Sequence, residues 1–272
     1  MSAMATVAVP GGELYYEVTG HGANALVLLH PGLWDRRTWD REFGLLAEAD
    51  YTVVRYDARG YGKSSRLVPG EAYSNVRDLV AVMDAAGVER AGIVGCSMGG
   101  RIAIDFTLEH PDRVWALVAV APGLSGFQST PEEDAYWERR FAPVQAAVDA
   151  GQLERAEDLR LEMWAPLGTD DAAGRRIREI AFDNLHEITM DEDGEEGIDP
   201  PAAERLIDIS APTLVVLAGH DPPGMQRIGE MLRAGISGVR VLTIDDADHV
   251  VNLRTPEAFD AAVLPFLAEV AP

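Results

Sequence analysis

Apolar residues enter this chain in short, nearly unbroken runs. Residues 25–30 (Ala-Leu-Val-Leu-Leu-His), 51–57, 91–95, 114–120, 213–219 and 239–245 all have this character, which predicts strands covered on both faces. Between the runs the spacing changes to that of helices. Val76, Leu79, Val80 and Met83 share one face of 74–86, and Met225, Ile228, Met231 and Leu232 share one face of 224–234; the stretches 98–110 and 256–269 are also helical in pattern. Strand and helix alternating over short connections predict an α/β class of fold, a mostly parallel central sheet with helices on both faces. Near the start, 5–9 and 13–18 flank Pro10-Gly11-Gly12, a hairpin signal that adds an antiparallel edge.

The alternation is interrupted once, between the sixth and seventh of the strands that begin at 5–9 and 13–18. Residues 124–205 are amphipathic, acidic and rich in Arg, Trp and Met, and helices can be drawn over 131–149, 152–165 and 171–187. The expected organisation is therefore a core in two parts, 1–123 and 206–272, with a helical cap over 124–205 inserted after the sixth strand. The cap is expected to carry much of the substrate selectivity.

One of the strands runs into a motif with chemical content. Residues 92–100 read Gly-Ile-Val-Gly-Cys-Ser-Met-Gly-Gly, a Gly-x-Ser-x-Gly sequence between a strand and a helix. A serine on such a sharp turn sits in strained dihedrals, and only small neighbours let the two chain arms approach; Gly95 and Gly99 provide that room. Ser97 is the candidate nucleophile. Three further signatures accompany it in order: His30-Pro31-Gly32 after the third strand, Asp57-x-Arg59-Gly60-x-Gly62-x-Ser64 after the fourth, and a late Asp followed by His.

Taken together these motifs resemble the α/β-hydrolase family, and the likeness runs from about residue 5 to 270. The resemblance implies a serine hydrolase of esterase or enol-lactonase type that needs no cofactor and no metal, with a small ester or lactone as substrate. Other chemistries share these motifs, among them C–C bond hydrolases, proline-releasing aminopeptidases, cofactor-free perhydrolases and some lyases, and so does a receptor that keeps the residues without turnover. Serine at 97 argues against dehalogenase or epoxide hydrolase chemistry, where the family places aspartate.

A serine hydroxyl needs a base titrating near neutrality. Of the six histidines, His249 matches the family's histidine loop in place and order; His30 belongs to the turn after the third strand, and His21, His110, His186 and His220 read as loop or capping residues. Asp221, directly after the run at 213–219, is the expected orienting acid, with Asp245, Asp246 and Asp248 as competitors close to the histidine. Two backbone donors are expected to hold the oxyanion: Met98 at the head of the helix after Ser97, and Gly32, placed by aligning His30 with the family's loop. Pocket candidates are Leu33, Trp34, Phe127, Trp137, Phe141, Trp164 and Val250, with packing as the alternative for each aromatic residue. Asp57 and Arg59 are expected to pair and hold their glycine-rich loop, which lacks the spacing of a phosphate loop.

Composition narrows the partners. The 272 residues carry a formal charge of −22 and a single lysine, Lys63, so nucleic acid and anionic membranes are not expected to bind. The acidic run 191–196 lacks EF-hand spacing and reads as a solvated loop. A lone cysteine, Cys96, leaves no internal disulfide to form. No basic segment precedes an apolar core at the start, and no apolar run reaches about 18 residues, which predicts a cytoplasmic protein, monomeric or homodimeric.

Overall fold

The computed structural model describes residues 3–190 and 193–272. Met1, Ser2, Asp191 and Glu192 lie outside the described residues, and with them part of the acidic run and of the N-terminal segment discussed above.

Eight strands form one sheet in the order β1-β2-β4-β3-β5-β6-β7-β8. They are β1 (Ala3–Val9), β2 (Gly12–Thr19), β3 (Asn24–Leu29), β4 (Tyr51–Tyr56), β5 (Ala91–Cys96), β6 (Val114–Val120), β7 (Thr213–Ala218) and β8 (Arg240–Ile244). The β1–β2 hairpin is antiparallel and reaches the sheet through an antiparallel β2–β4 pairing; every other neighbour is parallel. Alternate side chains enter opposite cores. Val27 and Leu29, Ile93, Leu117 and Ala119, and Val215 and Leu217 pack on one face against α2 (Asn75–Ala85), α3 (Met98–Glu109) and α7 (Pro223–Gly235). Leu26 and Leu28, Val94, Val118 and Val120, and Val216 pack on the other against α1 (Asp40–Glu48) and α9 (Pro256–Val270). Burial on both faces is why these strands read as continuous apolar runs without alternation.

Among the described residues three α-helices lie between β6 and β7: α4 (Pro131–Asp149), α5 (Leu153–Trp164) and α6 (Ala172–Asp183). Thr130 and Glu133 close a capping box at the start of α4, with Pro131 at its first position, and Asp171 accepts from the Gly174 amide at the start of α6. The helix expected to run to 187 stops at Asp183 because Asn184 is otherwise engaged: its Nδ2 donates to Asp35 at 2.8 Å and to the Ile180 carbonyl at 2.9 Å, and its Oδ1 accepts from the Gly62 amide. A 3-10 helix, Leu185–Thr189, follows. Among the described residues no helix is long and apolar enough to cross a membrane.

The loop after β4 differs from expectation. Arg59 does not pair with Asp57; its Nε and Nη2 donate to Asp78 on α2 at 2.5 and 2.8 Å. Asp57 pairs with Arg36 at 2.8 Å and accepts from the Lys63 amide. The acidic run is also more than a solvated loop, since Glu195 pairs with Arg101 at 2.8 Å and Glu196 with Arg77.

Candidate active site

The carboxyl ends of β3, β5, β7 and β8 carry the chemically relevant residues to one edge of the sheet. At the end of β5, Ser97 adopts φ 53° and ψ −112°, a left-handed conformation that costs a non-glycine residue about 1–3 kcal/mol. The turn is held by its own backbone: the Ser97 amide donates to Val120 at 2.9 Å, and the Ser97 carbonyl accepts from Gly123 and Arg101. A Cβ on Gly95 would overlap the Gly99 carbonyl and lie 2.8 Å from the Gly100 nitrogen, while one on Gly99 would overlap the Leu29 carbonyl and lie 2.7 Å from that of His30. These obstacles are backbone atoms and cannot rotate away. Gly95→Ala is therefore expected to lower stability by about 3 kcal/mol or more, measured as a drop in the urea midpoint, where a substitution at an open glycine such as Gly44 is tolerated.

His249 and Asp221 meet across two loops. The Gly219 amide donates to Ile244 at 2.9 Å and the His220 amide to Ala247 at 3.0 Å, stitching the segment after β7 to the segment after β8. Asp221 Oδ1 then lies 2.8 Å from His249 Nδ1, with side-chain exposures of 1% and 2%. Burial at that level means the pair is shielded from screening by solvent. Asp221 Oδ2 has no hydrogen-bond partner, so the imidazole is the carboxylate's one polar contact among the described residues. The competing Asp248 is committed elsewhere, to Arg254 at 2.8 Å. Next to Ser97 in the chain, the Cys96 thiol approaches the His249 backbone carbonyl at 3.5 Å. Burial and the nearby Asp221 charge push that thiol well above its ordinary pKa, which makes it an inert packing group.

Gly32 and Met98 face each other, the Cβ position of Gly32 lying 4.0 Å from Met98 Cβ. Met98 opens α3, so its amide precedes the helical hydrogen-bond ladder. The loop carrying Gly32 is anchored by His30, whose Nε2 accepts from the Ala58 amide at 2.9 Å. That leaves the proton on Nδ1, which donates to the Pro31 carbonyl at 2.8 Å; burial lowers the pKa of this ring and keeps it neutral. Leu33 follows with φ 71°, a second strained non-glycine residue beside Ser97.

A cavity of about 490 Å³ opens at Gly32 and Met98. Of the pocket candidates, Leu33 and Phe141 line it. The other five do not. Trp34 is fully buried and donates Nε1 to the Ile177 carbonyl at 2.9 Å, and Val250 is buried in the same cluster between α5, α6 and the His249 loop. Phe127 lies under the Arg227 guanidinium, 4.1 Å from its ring centre. Trp137 and Trp164 form a stack, with ring centres 5.2 Å apart, that ends on His249. In each case packing against other side chains claimed the apolar surface.

The cavity wall also holds residues that sequence patterning did not single out. Arg101 pairs with Glu195 and, at 3.7 Å, with Asp105; Arg160 pairs with Glu157 and Glu187. The i,i+4 spacing of Arg101 and Asp105 on α3 and the i,i+3 spacing of Glu157 and Arg160 on α5 were local signals; the partners Glu195 and Glu187 needed the fold. Burial pushes Glu157 up to about 7, and one of its oxygens has no partner. Below about pH 4.5 folded and unfolded chains both carry that proton; between about 4.5 and 7 the unfolded chain loses it first, so stability falls as pH rises. Glu157→Gln should accordingly raise Tm relative to wild type by several degrees more at pH 8 than at pH 5, read by calorimetry at both values.

A family model described as alpha/beta hydrolase fold matches residues 24–256. The chain belongs to the α/β-hydrolase fold family. This α/β hydrolase is 29% identical over 266 residues to the 2-hydroxy-6-oxononadienedioate/2-hydroxy-6-oxononatrienedioate hydrolase of Escherichia coli strain K12, covering 94% of this chain and 91% of the relative. It is similar to a solved N-acyl homoserine lactone degrading enzyme (TM-score 0.68, 26% identity, 96% and 100% of the two chains). It also shares the fold of the enol-lactonase from Burkholderia xenovorans LB400 (TM-score 0.73, 22% identity, 97% and 100%).

Proposed function

We propose that this α/β hydrolase cleaves a small carboxylic ester or lactone through an acyl-enzyme on Ser97. The observation that carries the reading is the buried His249–Asp221 hydrogen bond at 2.8 Å, set beside a serine held at positive φ. In the proposed reaction Ser97 Oγ attacks the carbonyl carbon as its proton passes to His249 Nε2. Asp221 holds the opposite ring proton and stabilises the imidazolium. The carbonyl oxygen, now negative, accepts from the amides of Gly32 and Met98, donors whose individual loss typically costs about 3 kcal/mol of transition-state stabilisation. As the tetrahedral intermediate collapses, the leaving alkoxide takes the proton from His249. Water then attacks the acyl carbon, gives a proton to His249, and Ser97 leaves with that proton to restore the starting state.

The E. coli relative favours a second reading, hydrolysis of a C–C bond in a vinylogous keto acid. Charge at the cavity supports the ester or lactone instead. Arg101 is paired with Glu195, Arg160 with Glu187 and Arg59 with Asp78, so each guanidinium on the wall already has a carboxylate partner that a dianionic substrate would have to displace. Turnover of p-nitrophenyl acetate, p-nitrophenyl butyrate and γ-lactones, set against loss of dienolate absorbance from a 2-hydroxy-6-oxo-dienoate, separates the two. Preferred turnover of the dienoate overturns the ester reading. If neither class is cleaved and a fluorophosphonate leaves Ser97 unlabelled, the acyl-enzyme itself is excluded.

A further inference from the structure

We propose that Trp164, carried by the helical insertion, is a positioning residue for His249: its indole fixes the tilt of the imidazole and favours the protonated ring that forms during catalysis. The inference rests on the reading of His249 as the general base.

Asp221 holds the imidazole by one atom, Nδ1. A single hydrogen bond fixes the direction of one ring edge but leaves the ring free to rock about that bond, and a general base must present Nε2 to the serine within a narrow angle. Trp164 supplies the missing constraint. Its ring centre lies 4.4 Å from that of His249, with 39° between the planes. The same residue also grips the histidine backbone: the His249 amide donates to the Trp164 carbonyl at 3.3 Å. That carbonyl is available because Trp164 is the last residue of α5, where helical carbonyls have no partner within the helix. The indole is backed in turn by Trp137 at 5.2 Å, and Trp137 by Phe141 at 5.6 Å. Phe141 is on the cavity wall, so the stack runs from the cavity to the base.

A cation within about 6 Å of an aromatic face is attracted to it, most strongly by indole. Neutral imidazole gains far less, so the ring pair discriminates between the two protonation states that alternate in each half-reaction. The other titratable and charged groups near the histidine are Asp221, on the ring itself from the loop after β7; Cys96, on the His249 backbone carbonyl from the end of β5; and Asp248, next in the chain, paired with Arg254 of the short helix α8 (Val251–Arg254). None of them is altered by a substitution at 164, which isolates the contribution of the indole.

The test is the pH profile of Ser97 phosphonylation by a fluorophosphonate, followed by intact mass, for wild type, Trp164→Phe and Trp164→Leu, with Tm recorded for each. The leucine variant is expected to lose about tenfold in plateau rate and to keep its activity to lower pH, its acid-side half-point moving down by about half a pH unit or more. Phenylalanine, which retains a π face, is expected to stay within about threefold of wild type. A leucine variant with an unmoved half-point overturns the inference, whether or not its plateau rate falls with Tm, because loss of packing alone does not change the balance between the two ring forms. Should Trp164→Leu fail to fold, Trp137→Leu, which removes the backing ring, must reproduce a smaller shift in the same direction, and its failure to do so also overturns it. Failure of wild type to label is a different result: it removes the acyl-enzyme reading and this inference with it.

Discussion

Ser97→Ala is expected to reduce kcat by about 10⁴- to 10⁶-fold, the range in which serine hydrolysis falls back on oxyanion stabilisation and binding alone. The alanine side chain keeps Cβ and hence the strain of φ 53°, so Tm should stay close to wild type. Ser97→Gly is expected to be equally inactive but more stable, by about 1 kcal/mol, because glycine occupies that region of backbone space freely. For a chain of this length that is a rise of about 2–4 °C in Tm. The pair of variants separates chemistry from architecture: activity is lost in both, and stability rises in one. An alanine variant that retained more than about 1% of wild-type turnover would remove Ser97 from the reaction.

Asp221→Asn is expected to cost about 10⁴-fold in kcat with little change in KM, since the amide holds the imidazole in the wrong tautomer while leaving the pocket intact. The comparison that gives the number meaning is Asp248→Asn. Asp248 is fully buried and adjacent in sequence to His249, but it is bound to Arg254, so its neutralisation should lower Tm and change kcat by less than about tenfold. Burial also raises the pKa of Asp248 above the ordinary carboxylate value, as expected of an acid held for structure. If the two variants exchange these outcomes, the orienting acid is Asp248 and the 2.8 Å contact of Asp221 is a resting arrangement only.

Much of the scaffold was legible in local patterning. Each apolar run became a strand within about a residue of its expected limits, and the helices at 75–85, 98–109, 131–149 and 256–270 follow the i,i+3/i+4 spacing that predicted them. The helix α1 carried only one such i,i+3 pair, Phe43 and Leu46, and Glu42 shares the buried face. Charge was the least legible property. Expecting Asp57 to pair with Arg59 assumed that nearness in sequence decides, whereas both side chains found stronger partners, Arg36 and Asp78, on other elements. The same holds for the apolar pocket candidates. Hydrophobicity identifies a side chain that will be buried but not the surface that buries it, and Phe127, Trp34 and Val250 went to packing.

What the amino-acid order determined by itself is the alternation of buried strands and amphipathic helices and the strained serine turn with its glycines, because periodicity and steric room are properties of a few consecutive residues. Asp221 was the acid expected for His249, but that it excludes Asp248, which carboxylates meet the arginines of the cavity wall, and that a tryptophan from the inserted helices lies on the imidazole were decided by the tertiary structure. The Asp221–His249 contact joins residues 28 positions apart and the Arg101–Glu195 contact residues 94 apart, and a side chain with several possible partners pairs with the one the folded backbone brings within hydrogen-bond reach.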